Sequence, residues 1–208
     1  PRPCQVGGSA LSGYGRRAQN DGMSELSQRL RALPAFPEEM PDLDLENLPE
    51  DPTELFLTWL DDAIAAGGRQ PHAMTFQTVM ADGTPVGRTL ILKDLDEHGF
   101  HVSTRNTSRK AHQLEDDPRA AMTFFWRESG RQVQVSGVVH ALGEDVSQAD
   151  WLTRPTSDGA PNPEWQVYPL QPTWIEFTQS RHDRNHIRAG YRREDGRWTH
   201  GQVTTPAG

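Results

Sequence analysis

Short strand-length runs follow one another in this chain with only tight turns between them, and that spacing constrains the fold more than any other feature. AMTFQTVM (73–80), RTLILKDL (88–95), FHVST (100–104), AAMTFFW (120–126) and QVQVSGVVHAL (132–142) are rich in β-branched and aromatic residues. The turns are ADGTP, carrying Asp82-Gly83, then DEHG, then RESGR. WIEFTQ (174–179), HIRAGYRR (186–193) and RWTHGQV (197–203) read as three closing strands. The pattern predicts a mainly β fold, a Greek-key-like antiparallel barrel with a few covering helices.

The clearest helix is DPTELFLTWLDDAIAAGG. Asp51 suits the N-cap, Pro52 the first turn, and Gly67-Gly68 the stop. Leu55, Trp59 and Ala63 share a face with Phe56 and Leu60, which predicts docking on the sheet. A second helix is expected over GEDVSQADWLTR (143–154), and TSDGAPNPEW reads as a loop. Residues 1–22, small, polar and glycine-rich, precede the first methionine, Met23, and read as a disordered tail or as residues upstream of the native start. Residues 23–50 read as an extended lead-in, and 51–208 as the barrel domain.

The formal net charge of −8 argues against a nucleic-acid or membrane-surface binder, so any cationic cluster has to be read locally. The single Cys4 excludes an intrachain disulfide framework and fits a reducing cytoplasm. No apolar run reaches the ~20 residues of a membrane span, and no apolar signal core is seen. The histidines lack metal-ligand spacing, so no metal site is expected.

NTSRKAHQLEDDPRA (106–120) carries an electrostatic inversion. It reads as a helix ending before Pro118, with Arg109 and Lys110 in its first turn and Glu115, Asp116 and Asp117 at its end. The macrodipole makes both placements unfavourable. A bound dianion at the helix start reverses the argument, turning Ser108, Arg109 and Lys110 into ligands. The plain alternative is two long side chains bent into solvent. In RTLILKD, Arg88 and Lys93 are five apart and point to opposite faces of a strand, so one can meet the anion while the other faces a second pocket. Edge-strand protection is the competing account. Phe124, Phe125 and Trp126 read as core rather than as a ring-stacking box.

The segments MTFQTVMADGTPVGRTLILKD, GFHVSTRNTSRKAHQLEDDPRAAMTFFW, RQVQVSG and IEFTQSRHDRNHIRAGYRR, in that order, resemble pyridoxamine/pyridoxine 5′-phosphate oxidase, of the FMN-binding split-barrel superfamily. The resemblance implies a homodimer with FMN between subunits. It implies that Arg88, Thr89, Leu90, Ile91 and Leu92 line the FMN site, with Ser103 and Thr104 on the flavin and Ser108, Arg109 and Lys110 on its phosphate. Gln132 and Arg188 match further FMN contacts. Lys93 and Arg154 match substrate-phosphate ligands, and Arg184 and His186 match the pair over the reacting face of the substrate.

Four features depart from the family pattern. Asp150 stands where a tyrosine is expected, Asp158 where a serine is, and Thr178 where a tryptophan is; a short loop replaces a longer segment between Pro155 and Trp165. An anion at 150 repels a substrate phosphate, by about 4 kcal/mol at about 4 Å and an effective dielectric near 20. Three functions follow from the resemblance: an FMN-dependent oxidase of pyridoxamine or pyridoxine 5′-phosphate, a phenazine-biosynthesis-type flavin oxidase with another substrate, and a non-catalytic flavin-binding protein. The Arg184–His186 pair speaks against the last. FMN is the expected cofactor, with a deazaflavin as its rival.

Overall fold

A computed structural model of the chain describes residues 23–205, so the expectations for residues 1–22 lie outside the described residues. The chain divides between Ala35 and Phe36 into two units. In the first, α1 (Glu25–Arg31) begins at Ser24, whose side chain accepts the Ser27 N–H. The expected extended lead-in is therefore corrected over these residues: a serine cap and Glu25 in the first turn satisfy the orphan donors of a short helix. Residues 32–50 contain no helix or strand.

The second unit opens with α2 (Pro52–Ala65), N-capped by Asp51 as its sequence predicts. Then come β1 (Ala73–Val79), β2 (Pro85–Ile91), β3 (Asp94–Asp96), β4 (Gly99–Arg105), α3 (Arg109–Asp116), β5 (Arg119–Trp126), β6 (Arg131–Val139), α4 (Glu144–Leu152), β7 (Trp165–Gln179), β8 (Ile187–Glu194) and β9 (Arg197–Gln202). All pairings are antiparallel, in the order β2-β1-β5-β6-β7-β4-β3, with β8 joining β7 to β9.

The run expected as one strand over 88–95 is two. Leu92 N–H still bonds back to His72 O on the β1 side, at 2.8 Å, while Lys93 N–H bonds to His101 O on β4, at 2.9 Å. The backbone changes partner between these residues, and this bend closes the sheet into a barrel. A second correction concerns β7, which starts nine residues before the expected WIEFTQ and runs through Pro169 and Pro172. Proline removes a ladder donor, which argues against a strand. Here Pro172 sits beside the register shift at Ser136/Gly137, where the ladder is already irregular.

Alternation places Met74, Phe76, Met122, Phe124, Val133, Val135, Ile175 and Phe177 in the interior. Helix α2 adds Phe56 and Trp59. Phe56 meets Phe100 and Phe124 edge-on at 4.9 Å each, and Trp59 meets Phe177 at 5.3 Å. Such contacts add about 0.5–1.5 kcal/mol each beyond area burial. Of the aromatic trio read as core, Phe124 and Trp126 are buried but Phe125 is 47% exposed, because it lies on the opposite face of β5.

Candidate functional site

The inverted helix of the sequence is α3, and its start gathers cations around a serine cap. Ser108 is extended at φ −79°, ψ 152°, and its hydroxyl oxygen accepts the Ala111 N–H at 3.3 Å. Thr104 donates to the same oxygen at 3.4 Å, leaving the Ser108 proton uncommitted. Arg88 reaches this region from β2. Its guanidinium donates to Thr78 Oγ1 at 2.6 Å, Gln113 Oε1 at 3.0 Å and Phe76 O at 3.4 Å. Thr78 in turn donates to Gln113 Oε1 at 2.7 Å. Arg88 is thus aimed by a β1 hydroxyl and an α3 amide.

The electrostatics point the same way. Burial, and then the neighbouring Arg109, depress the pKa of Arg88; burial, and then Arg88, depress that of Lys110. None of Arg88, Arg109 and Lys110 forms an ion pair with a carboxylate among the described residues. Three crowded cations without an anion are the complement of a phosphate group. Among the described residues β2 has β1 as its single strand neighbour, so the other edge of Thr89–Ile91 carries no strand there. Leu90 and Leu92 pack on the core while Thr89 is exposed. On β4, Thr104 is buried, and the Ser103 hydroxyl is shut off from solvent with no partner.

A second group lies on β6, β7 and β8. Gln132, Thr178 and Arg188 are cross-strand neighbours in one row. Arg188 pairs with Glu176 at 3.3 Å, both largely buried. In the turn before β8, Arg184 is exposed and left-handed at φ 63°, a conformation a bulky side chain seldom adopts. His186 Nδ1 accepts the Arg181 N–H at 3.0 Å, and its ring stands edge-on to Phe36. In the neutral ring this puts the proton on Nε2.

A third group sits at the end of α4. Arg154 lies over the Trp165 ring, 4.2 Å from its centroid, and Trp165 Nε1 donates to Asp150 Oδ2 at 2.6 Å. Lys93 is exposed at the bend between β2 and β3. Asp158 accepts the Ala160 N–H within its own loop.

The fold therefore brings together Arg88, Thr104, Ser108, Arg109 and Lys110. Among the described residues, no hydrogen bond or ion pair links them to Gln132, Arg184, His186 and Arg188, or to Lys93 and Arg154. A cavity of about 620 Å³ opens elsewhere, at the end of α2, between Asp62, Arg69, Thr75, Phe125 and Arg131; Thr89 is the one expected site residue on its wall. The niche at α3 has the stronger chemical case, because its three cations crowd one another at a helix start, whereas in the cavity Arg131 is bound to Asp62 at 2.6 Å and Arg127 lies over the Phe125 ring. Sequence reasoning missed Thr78, Gln113 and Trp165. Gln113 was within reach, since it lies four residues after Arg109 and so on the same helical face. No cluster of metal-binding side chains is found among the described residues.

An antiparallel barrel with three crowded cations at a helix start, beside the outer edge of β2, defines the class. A family model described as pyridoxamine 5′-phosphate oxidase matches residues 60–179. A pyridoxine/pyridoxamine 5′-phosphate oxidase from Pseudomonas paraeruginosa is 39% identical over 188 residues, 73% of this chain and 87% of the relative. The crystal structure of PhzG from Burkholderia lata 383, in complex with tetrahydrophenazine-1-carboxylic acid, superposes with a TM-score of 0.73 at 26% identity, covering 82% of this chain and 99% of that one. A pyridoxamine 5′-phosphate oxidase-related, FMN binding protein from Nostoc punctiforme shares the fold, with a TM-score of 0.65 at 16% identity over 76% of this chain and 100% of that one. The chain belongs to the pyridoxamine 5′-phosphate oxidase family, and its fold is the split barrel of that family.

Proposed function

We propose that this protein is an FMN-dependent oxidase acting on pyridoxamine or pyridoxine 5′-phosphate or on a related ring-bearing amine or alcohol. The observation that carries the reading is the set of three unpaired cations, Arg88, Arg109 and Lys110, gathered at the start of α3. The residues fit the cofactor. Arg109, Lys110 and the Ser108 hydroxyl would hold the FMN phosphate, with Arg88 behind them. The unpartnered Ser103 hydroxyl and the open edge of Thr89–Ile91 would meet the rest of the flavin, with Leu92 beyond it.

Bound FMN would supply the two-electron acceptor, taking a hydride from a substrate C–H and passing the electrons to oxygen, which leaves as hydrogen peroxide. The chain's own residues position the substrate. His186 presents Nε2–H, so it orients the substrate heteroatom by donation; acting as a base through Nε2 would require a proton on Nδ1, which faces the Arg181 N–H. Arg184, on the left-handed backbone of the same turn, would hold the substrate ring. Gln132 and Arg188 would complete the flavin surroundings, and Lys93 and Arg154 would hold the far end of the substrate. We place the FMN between the subunits of a homodimer, which accounts for the separation of these groups within one chain.

A second reading, a phenazine-type substrate, is favoured by Asp150, which sets a carboxylate on the indole that also carries Arg154, and by the likeness to PhzG. The purified protein should carry flavin that bleaches anaerobically with its substrate. Arg109→Ala with Lys110→Ala should purify folded, by circular dichroism, but without flavin absorbance. Undiminished flavin occupancy in that double variant would falsify the niche.

A further inference from the structure

We propose that the cavity at the end of α2 is a second ligand site, apart from the α3 niche, and that it takes a flat ring bearing a single carboxylate. The proposal stands whether or not the oxidase reading does.

Arg131 is the anchor. Its side chain is only 7% exposed, and three contacts fix it. The guanidinium lies 4.5 Å from the centre of the Trp59 ring, Nε donates to Gln179 Oε1 at 3.2 Å, and Nη1 donates to Asp62 Oδ2 at 2.6 Å. Nη2 donates to nothing among the described residues, yet it is not sealed from solvent. Docking α2 on the sheet accounts for the contacts with Trp59 and Asp62. It leaves the Nη2 donors without an acceptor, on the wall of a cavity of about 620 Å³. That volume lies within the range of about 300–1,000 Å³ usual for small-molecule sites.

The rest of the wall states what else the ligand carries. Phe125 is 47% exposed, a flat apolar plate on which a ring can stack. Thr75 faces Thr89 across one ladder and Thr123 across the other, so three hydroxyls stand in a row on the outer face of the sheet, each about 5 Å from the next. None of these hydroxyls is engaged in a hydrogen bond among the described residues. They offer donors and acceptors to polar substituents of the ring.

Charge selects the acid. Arg69, Arg127 and Arg131 line the cavity against Asp62 and Glu128, three cations to two anions, a local excess of one positive charge in a chain of net −8. Neither Arg69 nor Arg127 has a carboxylate partner among the described residues. A carboxylate balances that excess and matches the guanidinium fork. A phosphate dianion overshoots it and meets Asp62, the carboxylate that already holds Arg131.

The test is calorimetric titration of the purified full chain with 2-naphthoate and, as its neutral counterpart, 2-naphthamide, each with and without added FMN. The acid should saturate below about 1 mM and bind at least about tenfold more tightly than the amide. Phe125→Ala removes an exposed ring and should weaken the acid about threefold or more. Arg131→Gln should abolish the preference for the acid. The wild-type comparison and Phe125→Ala decide the matter even if Arg131→Gln misfolds. No saturation with the acid, equal affinity for the amide, or full affinity in Phe125→Ala would each overturn the proposal. So would displacement of the naphthoate by FMN, which would make the cavity part of the cofactor site. Saturation that persists in Arg109→Ala with Lys110→Ala, the variant expected to lose flavin, would show that the cavity binds independently of the niche; loss of binding there would overturn it.

Discussion

Lys110 and Tyr191 are both shifted by burial, with consequences at opposite ends of the protein's function. The depressed pKa of Lys110 means that the folded chain without ligand binds its proton less tightly than the unfolded chain. The charged lysine therefore disfavours the fold below that lowered pKa, and the penalty is relieved as pH climbs through it toward the ordinary 10.5. Under the proposed function, a bound dianion would offset the same penalty at neutral pH and so couple folding to the cofactor. Tyr191 lies in the core and donates to Pro49 O at 2.9 Å. Burial, and then Asp51 and Glu54, push its pKa from 10.0 to about 12. A raised tyrosine contributes stability that is fully present below 10.0 and lost as pH rises through about 12. Tyr191→Phe should cost about 1 kcal/mol at pH 8 for the lost hydrogen bond. Urea denaturation should find the variant's stability flatter than that of wild type across the alkaline window; identical alkaline profiles would remove Tyr191 from that account.

β6 and β7 show how the elements hold one another in register. Their ladder shifts at Ser136/Gly137, which pair with Trp174 and Pro172 and leave Thr173 without a register partner. A Cβ at Gly137 would run into the Gln171 carbonyl, a backbone atom that cannot swing aside. Gly137→Ala should therefore destabilise by about 1–3 kcal/mol, the range of overpacking, read as a lower urea midpoint with an unchanged slope. A wild-type midpoint would mean that the strands separate freely here. The same irregularity lets β7 accept Pro172, so that its first half pairs with β4 and its second half with β8. β7 thereby carries Trp165 at one end and Thr178, beside Gln132 and Arg188, toward the other.

In the whole molecule, the α3 niche and the β6–β8 row occupy different parts of one barrel. The proposed dimer makes one site from the two. Sedimentation of the flavin-loaded protein should give the mass of two chains. A monomer that keeps tightly bound flavin would show that one chain suffices.

Much of this was readable in advance because it is local. Asp51 capping α2, the reversed charges of α3 and the tight turns between strands are set by residues a few positions apart. Backbone donors and acceptors find these partners before any core exists. The strand over 166–173 was not readable, since two prolines argue against it, and the bulge that accommodates Pro172 appears only once β6 is alongside. Nor was the change of partner at Leu92 and Lys93, which depends on His72 and His101 arriving on either side. The aiming of Arg88 by Thr78 and Gln113, and the seating of Asp150 and Arg154 on one indole, likewise wait on the fold. Pairings between distant strands and the exclusion of water from charged groups are properties of many residues at once, and no short stretch of chain encodes them.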